Sequence, residues 1–379
     1  MNDPVMDERA VRDAVAAARR VVVKVGSSSL ASARGGLDGR ALDALVDALA
    51  KQRLGGREII LVTSGAIAAG CEPLGLTHRP ADLAQQQAAA AVGQGLLIAR
   101  YTAAFARHGL TVAQVLVSVG DIARRTSYAN ALRTFGALTR LGVTPIVNEN
   151  DTVATREIRF GDNDRLAALV AEMVAAHALV LLSDVDALYT ARPGTPGATR
   201  VTFVPRVSEL AVDVSQSGRS GVGSGGMASK IQAAGLAAGA GIPVLLTSCA
   251  QAGPGLAGEG GTAFAPSDKR RPRRLAWLAD ASVTQGRLHV DAGAVKALTT
   301  TSASLLAAGI RRVEGVFEPG DPVEVVGPDG RLVARGLVAF SSDELPAMLG
   351  RTSADLAASL GERFGHEVVH RDDLVRKAR

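Results

Sequence analysis

The sequence predicts an α/β fold with a mostly parallel sheet, followed by a small β-rich domain. The composition is 47% hydrophobic but only 3% aromatic, so the core must be aliphatic and closely packed, as in a sheet covered by helices. Short β-branched runs alternate with stretches of helical spacing, and the character of the chain changes near Pro266. With 379 residues, the chain is long enough for two or three domains.

Strands and helices alternate through the first half of the chain. The β-branched residues 21–25 predict a strand, apolar residues at helical spacing in 42–49 predict a helix, and residues 58–62 predict a second strand. The same patterns predict helices over 82–107, 127–141 and 164–176, and strands over 111–117, 143–147 and 178–182. Ligands of parallel sheets bind at the carboxyl ends of the strands. The loops at those ends are therefore the candidate site.

The C-terminal part has a different pattern. A charged segment interrupted by proline, residues 267–274, predicts a linker. Short β-like pieces with turn signals follow, including residues 322–326 and 332–340. We predict an N-terminal extension over 1–20, an α/β domain over 21–266, a linker over 267–284 and a β-rich domain over 285–373.

Composition argues against several classes of protein. The net charge of +5 is spread evenly, so neither domain is a strongly basic nucleic-acid binder. Cys71 and Cys249 lack the paired spacing of a zinc site or a redox CxxC motif. Residues 1–20 lack the apolar core of a signal peptide, and no run approaches the ~18 apolar residues of a membrane span. We expect a cytoplasmic protein.

Two loops at strand ends could hold a phosphate group. Lys24 ends a strand and is followed by Gly26 and three serines, which makes a plausible phosphate cradle. Thr63, Ser64 and Gly65 connect the next strand to a helix of small residues, whose N-terminus can hold an anion. The alternatives are that Lys24 is simply solvated and that Ser64 or Thr63 is only a helix N-cap.

Two clusters of amides and carboxylates are the most informative loops. Asn148, Glu149, Asn150 and Asp151 close a strand, and residues 161–164 open the next helix with the sequence Gly-Asp-Asn-Asp. Carboxylates can hold an ammonium group and side-chain amides can bind a carboxylate. Together they indicate a pocket for a free amino acid. The alternative is an Asx-rich loop that caps a helix.

Two further segments suit a nucleotide. Ser183 and Asp184 follow a buried strand, where they could line a base and ribose or be structural. Residues 221–226 contain GxGxxG, but no apolar strand precedes them and no acid occurs over 214–258, so a Rossmann site is disfavoured. Met227 stands where a Walker lysine would follow. A glycine loop that opens a helix with Lys230 in its first turn suits the phosphates of ATP.

With these pieces in order, the chain resembles the amino-acid kinase family, in particular those members that phosphorylate glutamate and carry a C-terminal PUA domain. The resemblance extends from about Val21 to Asp373 and is strongest over residues 62–70, 147–151, 161–164 and 224–230. It implies an open α/β/α sandwich followed by a PUA-like domain. It also implies transfer of the γ-phosphoryl group of ATP, accompanied by Mg²⁺, to L-glutamate, which is the first step of proline biosynthesis.

The resemblance implies roles for individual residues. Ser64, Asp151 and Asn163 match positions that contact glutamate, Lys24 and Lys230 match lysines that stabilise the transferred phosphate, and Asp164 matches the carboxylate that organises them. The positions that match nucleotide-binding residues are Lys24, Ser183, Asp184, Ser224, Gly225, Gly226, Met227, Ala228, Ser229 and Lys230. Ala228 lacks a hydroxyl that other members carry. The resemblance further implies a homo-oligomer, dimer or tetramer, and feedback inhibition by proline.

Two alternatives stay open. One is a kinase for another acyl acceptor, such as N-acetylglutamate or aspartate, although Asp151 favours a substrate with a free ammonium group. The other is RNA binding, because PUA-like domains commonly bind structured RNA. Residues 275–379 hold 12 Lys+Arg against 14 Asp+Glu, which is a poor surface for a phosphate backbone. RNA is therefore the less favoured partner.

Overall fold

The computed structural model describes residues 6–31, 36–123, 125–152, 163–191, 193–210, 226–267, 284–301 and 303–376. Contacts within the chain divide it into two compact units. The first consists of Met1–Val119 and Asn130–Arg270, and the second of Gly120–Ala129 and Arg271–Arg379. The domain boundaries drawn from the sequence stay a prediction.

The first unit is built on a mostly parallel sheet, as the sequence predicts. Its described strands are β1 (Arg20–Val25), β2 (Glu58–Val62), β3 (Val112–Leu116), β4 (Thr144–Asn148), β5 (Ala178–Ser183), β8 (Phe203–Val204), β9 (Val244–Ser248) and β10 (Thr262–Phe264). They run in the order β3-β4-β2-β1-β5-β9-β10-β8. Among these strands only β9 and β10 pair antiparallel. A short hairpin, β6 (Leu188–Tyr189) and β7 (Arg200–Val201), lies outside this sheet.

Ten helices lie between residues 6 and 267 in the described part of the chain. They are α1 (Glu8–Ala17), α2 (Ser27–Leu30), α3 (Gly39–Leu54), α4 (Ala66–Cys71), α5 (Leu83–Ala106), α6 (Val119–Ala123), α7 (Arg125–Arg140), α8 (Asn163–Met173), α9 (Met227–Gly239) and α10 (Ala252–Leu256). Asp38 and Asp82 cap α3 and α5 by accepting hydrogen bonds from backbone N–H groups of the first turn. No described helix is both long and apolar enough to cross a membrane.

Helices cover both faces of the sheet. Alternate residues of a strand point to opposite faces, and Val21, Val23 and Val25 of β1 join one core cluster with residues of α1, α3 and α5. The intervening Lys24 faces α8 and α9, because it pairs with Asp164 of α8. The predicted α/β/α sandwich is confirmed. The alternation in β1 also explains how a lysine comes to lie between the sheet and these two helices.

Two helices of the first unit meet without side chains between them. A Cβ atom on Gly93 of α5 would lie 1.8 Å from the carbonyl oxygen of Ala66, and one on Gly70 of α4 would lie 1.9 Å from that of Ala89. The backbones are therefore in direct contact, which only glycine permits. This contact fixes α5 against the start of α4, next to Ser64.

The second unit is a separate β-rich domain. Its five-stranded sheet has the order β12-β11-β13-β14-β15 in the described residues. The strands are β11 (Gly286–Val290), β12 (Ile310–Gly315), β13 (Pro322–Val326), β14 (Leu332–Leu337) and β15 (Leu374–Arg376), and the helices are α11 (Ala292–Thr300) and α12 (Ser353–Leu360). Leu288, Phe317 and Phe340 belong to a core of its own. The predicted β-rich C-terminal domain is confirmed.

Candidate active site

The polar loops singled out in the sequence meet at one edge of the sheet. Strands β4, β2, β1 and β5 are neighbours and run parallel, so their carboxyl ends lie side by side. These ends carry Asn148, Ser64, Lys24 and Ser183. Side-chain contacts link Ser64 to Asn163 of α8 and Lys24 to Asp164. The fold thus assembles residues that are far apart in the chain.

The first part of the site, the lysine cluster, consists of Lys24, Asp164, Ser229 and Lys230. Lys24 Nζ lies 2.6 Å from Asp164 Oδ1, and Lys230 Nζ lies 3.4 Å from Asp164 Oδ2. The Ser229 hydroxyl donates to Asp164 Oδ2 at 2.7 Å. Lys24, Asp164 and Lys230 are all buried. The alternative that Lys24 is merely solvated is therefore wrong.

The charges in the lysine cluster do not cancel. Burial alone would raise the pKa of Asp164, but the charges of Lys24 and Lys230 and the Ser229 hydrogen bond outweigh it and hold that pKa at about 2. Burial lowers the pKa of Lys230, and the nearby carboxylate of Asp164 opposes this. One ionised carboxylate thus stands between two cationic side chains. The excess positive charge suits an anion such as a phosphate.

The second part of the site, the amide network, consists of Ser64, Gln94, Asn148 and Asn163. Asn163 Nδ2 donates to Ser64 Oγ at 2.9 Å and to Asn148 Oδ1 at 3.0 Å. Asn148 Oδ1 also accepts from the backbone N–H of Glu149 at 3.0 Å, and Asn148 Nδ2 donates to Gln94 Oε1 at 2.7 Å. These side chains form one connected chain of hydrogen bonds.

The direction of each bond in the amide network follows from one fixed donor. A backbone N–H can only donate, so the Asn148 oxygen must face Glu149, and the amide of Asn163 must then turn its nitrogen toward Asn148. Asn163 Oδ1 is left buried without a hydrogen-bond partner among the described residues. The Ser64 hydroxyl accepts from Asn163 and keeps its own proton to donate. The network thus offers an acceptor and a donor to a ligand.

The loop after β2 is shaped by glycine rather than by a side-chain cap. The N-cap of α4 is Gly65, with a φ of 109° and no side-chain capping bond, a conformation that favours glycine. The Thr63 hydroxyl instead forms a hydrogen bond with the Tyr101 hydroxyl at 2.9 Å. The alternative that Thr63 or Ser64 is simply an N-cap is therefore wrong. Ser64 remains available for recognition.

Asp151 lies just beyond β4 and has an altered acidity. Burial raises its pKa to about 6, and the positive charge of Arg79 opposes the rise. The carboxyl group therefore changes its charge near neutral pH. Gly161 and Asp162 of the second acidic cluster lie outside the described residues.

The residues expected to bind the nucleotide lie in two places. The Ser183 hydroxyl donates to Asp184 Oδ1 at 2.9 Å at the end of β5. Gly226 is the N-cap of α9 and makes no side-chain capping bond, and Met227, Ala228, Ser229 and Lys230 form the first turn. Such a turn can accommodate a phosphate. Ser224 and Gly225 lie outside the described residues.

Gln94 and Tyr101 were missed by the sequence reasoning. Both lie in α5, for which the sequence predicted only a helix. They are spaced so that they fall on one face of it, the face that also buries Gly93 and Leu97. The sequence signal that could have identified these two residues is the recurrence of polar side chains on the buried face of a helix.

Comparison with known proteins agrees with the fold. Residues 19–248 match the amino acid kinase family and residues 286–360 match the PUA domain. Glutamate 5-kinase of Streptomyces avermitilis is 59% identical over 97% of this chain and 98% of its own length. Glutamate 5-kinase of Salinispora arenicola is 59% identical over 96% of this chain and 100% of its own length.

A solved structure supports the fold alone. The structure of carbamate kinase from Giardia lamblia bound to AMP-PNP aligns with a TM-score of 0.50 and 16% sequence identity. The alignment covers 66% of this chain and 100% of the carbamate kinase chain. The family match spans more than half of the chain, and the curated relatives extend over nearly all of it. The chain therefore belongs to the amino acid kinase family, and it joins the fold of that family to a PUA domain.

Proposed function

We propose that this protein transfers the γ-phosphoryl group of ATP to the side-chain carboxylate of L-glutamate, giving γ-glutamyl phosphate and ADP. The observation that carries the proposal is the start of α8, where Asn163 belongs to the amide network and Asp164 to the lysine cluster. Relatives that align over nearly the full chain are named glutamate 5-kinase, which supports glutamate as the acceptor. The reaction is the first step of proline biosynthesis.

The lysine cluster matches what this transfer requires. Bringing a γ-phosphate and a carboxylate together crowds two anions, so catalysis consists mainly of positioning and charge neutralisation. Lys24 and Lys230 supply the positive charge, and Asp164 holds both ammonium groups in place. The substrate carboxylate is already ionised at neutral pH and attacks in that form. No general base is needed for this step.

The amide network matches the amino-acid end of the substrate. Asn163 Oδ1, which has no hydrogen-bond partner in the described part of the chain, can accept a hydrogen bond from the α-ammonium group, and the Ser64 hydroxyl can donate to a carboxylate. An ionised Asp151 adds a negative charge that favours an ammonium group. We assign Ser64, Asp151 and Asn163 to glutamate binding.

ATP and Mg²⁺ complete the proposal. We assign the nucleotide to Lys24, Ser183, Asp184 and the stretch from Ser224 through Gly225, Gly226, Met227, Ala228 and Ser229 to Lys230. The described residues contain no group of three or more His, Cys, Asp or Glu side chains suited to a metal ion. Mg²⁺ would accompany the phosphates of the nucleotide, as it does in kinases. There it would neutralise part of their charge.

The family resemblance supports three further proposals about this protein. They are inhibition by proline, assembly into a dimer or tetramer, and a cytoplasmic location. Each can be tested on the purified protein or in cells, by assaying turnover with added proline, by light scattering and by fractionation.

RNA binding is not proposed for the second unit. Several of its described arginines are paired with acidic side chains: Arg311 with Asp291 at 2.7 Å and Arg312 with Glu314 at 2.6 Å. Glu324 contacts both Arg287 and Arg335. Pairing of this kind reduces the positive charge offered to a phosphate backbone. A salt-dependent gel shift with structured RNA at physiological ionic strength would reverse this conclusion.

The test compares acceptors that differ only at the amino-acid end or in length. Purified protein is incubated with ATP, Mg²⁺ and hydroxylamine, which traps acyl phosphates as hydroxamates. Glutamate should give product, whereas N-acetylglutamate and glutarate should give little, because neither has an ammonium group for Asn163 and Asp151. Aspartate tests the length of the acceptor. Turnover of N-acetylglutamate without turnover of glutamate would overturn the proposal.

A further inference from the structure

Helix α5 contacts the ends of both strands that lead to the amino-acid site. Gln94 Oε1 accepts from Asn148 Nδ2 at the end of β4, and the Tyr101 hydroxyl bonds to Thr63 just beyond β2. The two residues are seven apart in the sequence, which is two helical turns, and therefore lie on one face of α5. One face of the helix thus contacts the ends of both strands.

Asn148 is held at both ends of its side-chain amide. Its oxygen accepts from the Glu149 N–H and from Asn163, and its nitrogen donates to Gln94. Asn148 is only 1% exposed. Without the Gln94 acceptor its N–H group would lose a partner inside the protein, which costs free energy. Rotating the amide to regain a partner would break its bonds to Glu149 and Asn163.

The position of Gln94 is itself fixed. Its neighbour Gly93 touches the Ala66 backbone, with no room for even a Cβ atom. A helix held by a backbone contact cannot adjust by repacking side chains. The Cα atom from which the Gln94 side chain reaches Asn148 is therefore held in place.

We propose that Gln94 is a positioning residue for amino-acid recognition. Gln94 holds Asn148, Asn148 orients Asn163, and the free Asn163 Oδ1 then accepts the ammonium group of the substrate. This inference rests on the proposed function, because it needs an amino acid as the ligand of Asn163. Gln94 acts through its neighbours and takes no part in phosphoryl transfer.

The test is a pair of substitutions at Gln94 that differ in the hydrogen-bond acceptor. Gln94→Met keeps the length and the helix preference but removes the acceptor. It should raise the glutamate KM roughly three- to tenfold, the range expected for one lost hydrogen bond, and leave kcat and the ATP KM within about twofold. Gln94→Glu keeps an acceptor and should restore the glutamate KM to within about threefold of wild type. Gln94→Ala replaces the methionine variant if thermal unfolding shows that it does not fold.

Two controls separate positioning from a general effect. Gln85→Met makes the same substitution at an exposed site of α5, and it should leave all kinetic constants unchanged. In an Asn148→Ala background, Gln94→Met should not raise the glutamate KM further, because the side chain through which Gln94 acts on Asn163 is already removed.

Three results would overturn the inference while the proposed function stands. The first is an unchanged glutamate KM in Gln94→Met. The second is an equal change of the glutamate KM and the ATP KM in that variant. The third is a double variant in which the effects of Gln94→Met and Asn148→Ala on the glutamate KM add. A wild-type protein that does not phosphorylate glutamate would overturn the proposed function itself.

Discussion

The lysine cluster and the amide network lie side by side at the start of α8, but they handle charge in opposite ways. In the lysine cluster, two cationic groups share one carboxylate whose pKa is about 2. In the amide network, neutral groups are joined by directed hydrogen bonds that end in Asn163 Oδ1, an oxygen without a partner among the residues that the structure describes. The positive charge of the lysine cluster suits a phosphate in transfer, because charge attraction does not need a strict direction. The directed hydrogen bonds of the amide network suit recognition of the amino acid. The two parts should therefore control different kinetic constants.

The largest effect should come from removing a lysine. Lys24→Ala or Lys230→Ala should lower kcat about 10²-fold or more, because each removes a preorganised charge at the transferred phosphate. The glutamate KM should change much less. Steady-state assays with both substrates varied measure this. Lys51→Ala, at an exposed site of α3, is the matched control, and a kcat loss as large there would remove the distinction between the two parts.

Removing a carboxylate at the amino-acid end should have the next largest effect. Asp151→Ala should raise the glutamate KM about tenfold or more, since a hydrogen bond to a charged group is lost, while kcat falls much less. The exposed Asp343 of the second unit offers a matched control, Asp343→Ala. If Asp151→Ala reduces turnover without changing the glutamate requirement, its assignment to glutamate binding is wrong.

The pH dependence should separate amino-acid binding from phosphoryl transfer as well. Because burial raises the pKa of Asp151 to about 6, this group becomes anionic as the pH rises through that value, and kcat/KM for glutamate should rise with it and then level off. Asp164, with a pKa of about 2, stays ionised throughout and contributes no inflection. Assays between about pH 5 and 8 cover the transition. The inflection should disappear in Asp151→Asn, and its persistence there would point to another group.

The smallest effect should come from the second contact of α5. Tyr101→Phe removes a buried hydroxyl bonded to Thr63, which should lower the free energy of unfolding by about 1 kcal/mol. The loss is limited because the Thr63 hydroxyl also contacts the carbonyl oxygen of Ser64 at 3.1 Å. Urea unfolding measures the change. Tyr189→Phe, at a partly exposed tyrosine, should cost less, and an equal or greater cost would contradict the role given to Tyr101.

The parts of the fold that the sequence predicted are those with strong local patterns. The β-branched run of β1 and the apolar spacing of α3 need no distant partner to be recognised. Lys24 and Lys230 were singled out because each lies next to a glycine-containing loop at the end of a predicted element, whereas the role of Asp164 came from the family resemblance.

The parts that were missed depend on tertiary contacts. The role proposed for Gln94 depends on its hydrogen bond with Asn148, which lies 54 residues away in the sequence. The short strands β6, β7 and β8 have only two residues each, too few for a periodic pattern. Helix α1 was given no role, yet Val11 and Val15 are fully buried in the core. A few apolar residues in a polar segment do not show where that segment packs.

On the proposed assignment of the site, the adjacency of Asn163 and Asp164 limits the length of the substrate. Their Cα atoms are joined by a single peptide unit, about 3.8 Å long, inside a helix that is buried at every position except Arg165. Covalent geometry thus sets the spacing between the backbone positions of the proposed ammonium acceptor and of the carboxylate that pairs with both lysines. An acid one methylene shorter than glutamate, held by the same ammonium contact, would bring its carboxylate up short of the phosphate. We therefore expect the backbone of α8 to contribute to selection by length.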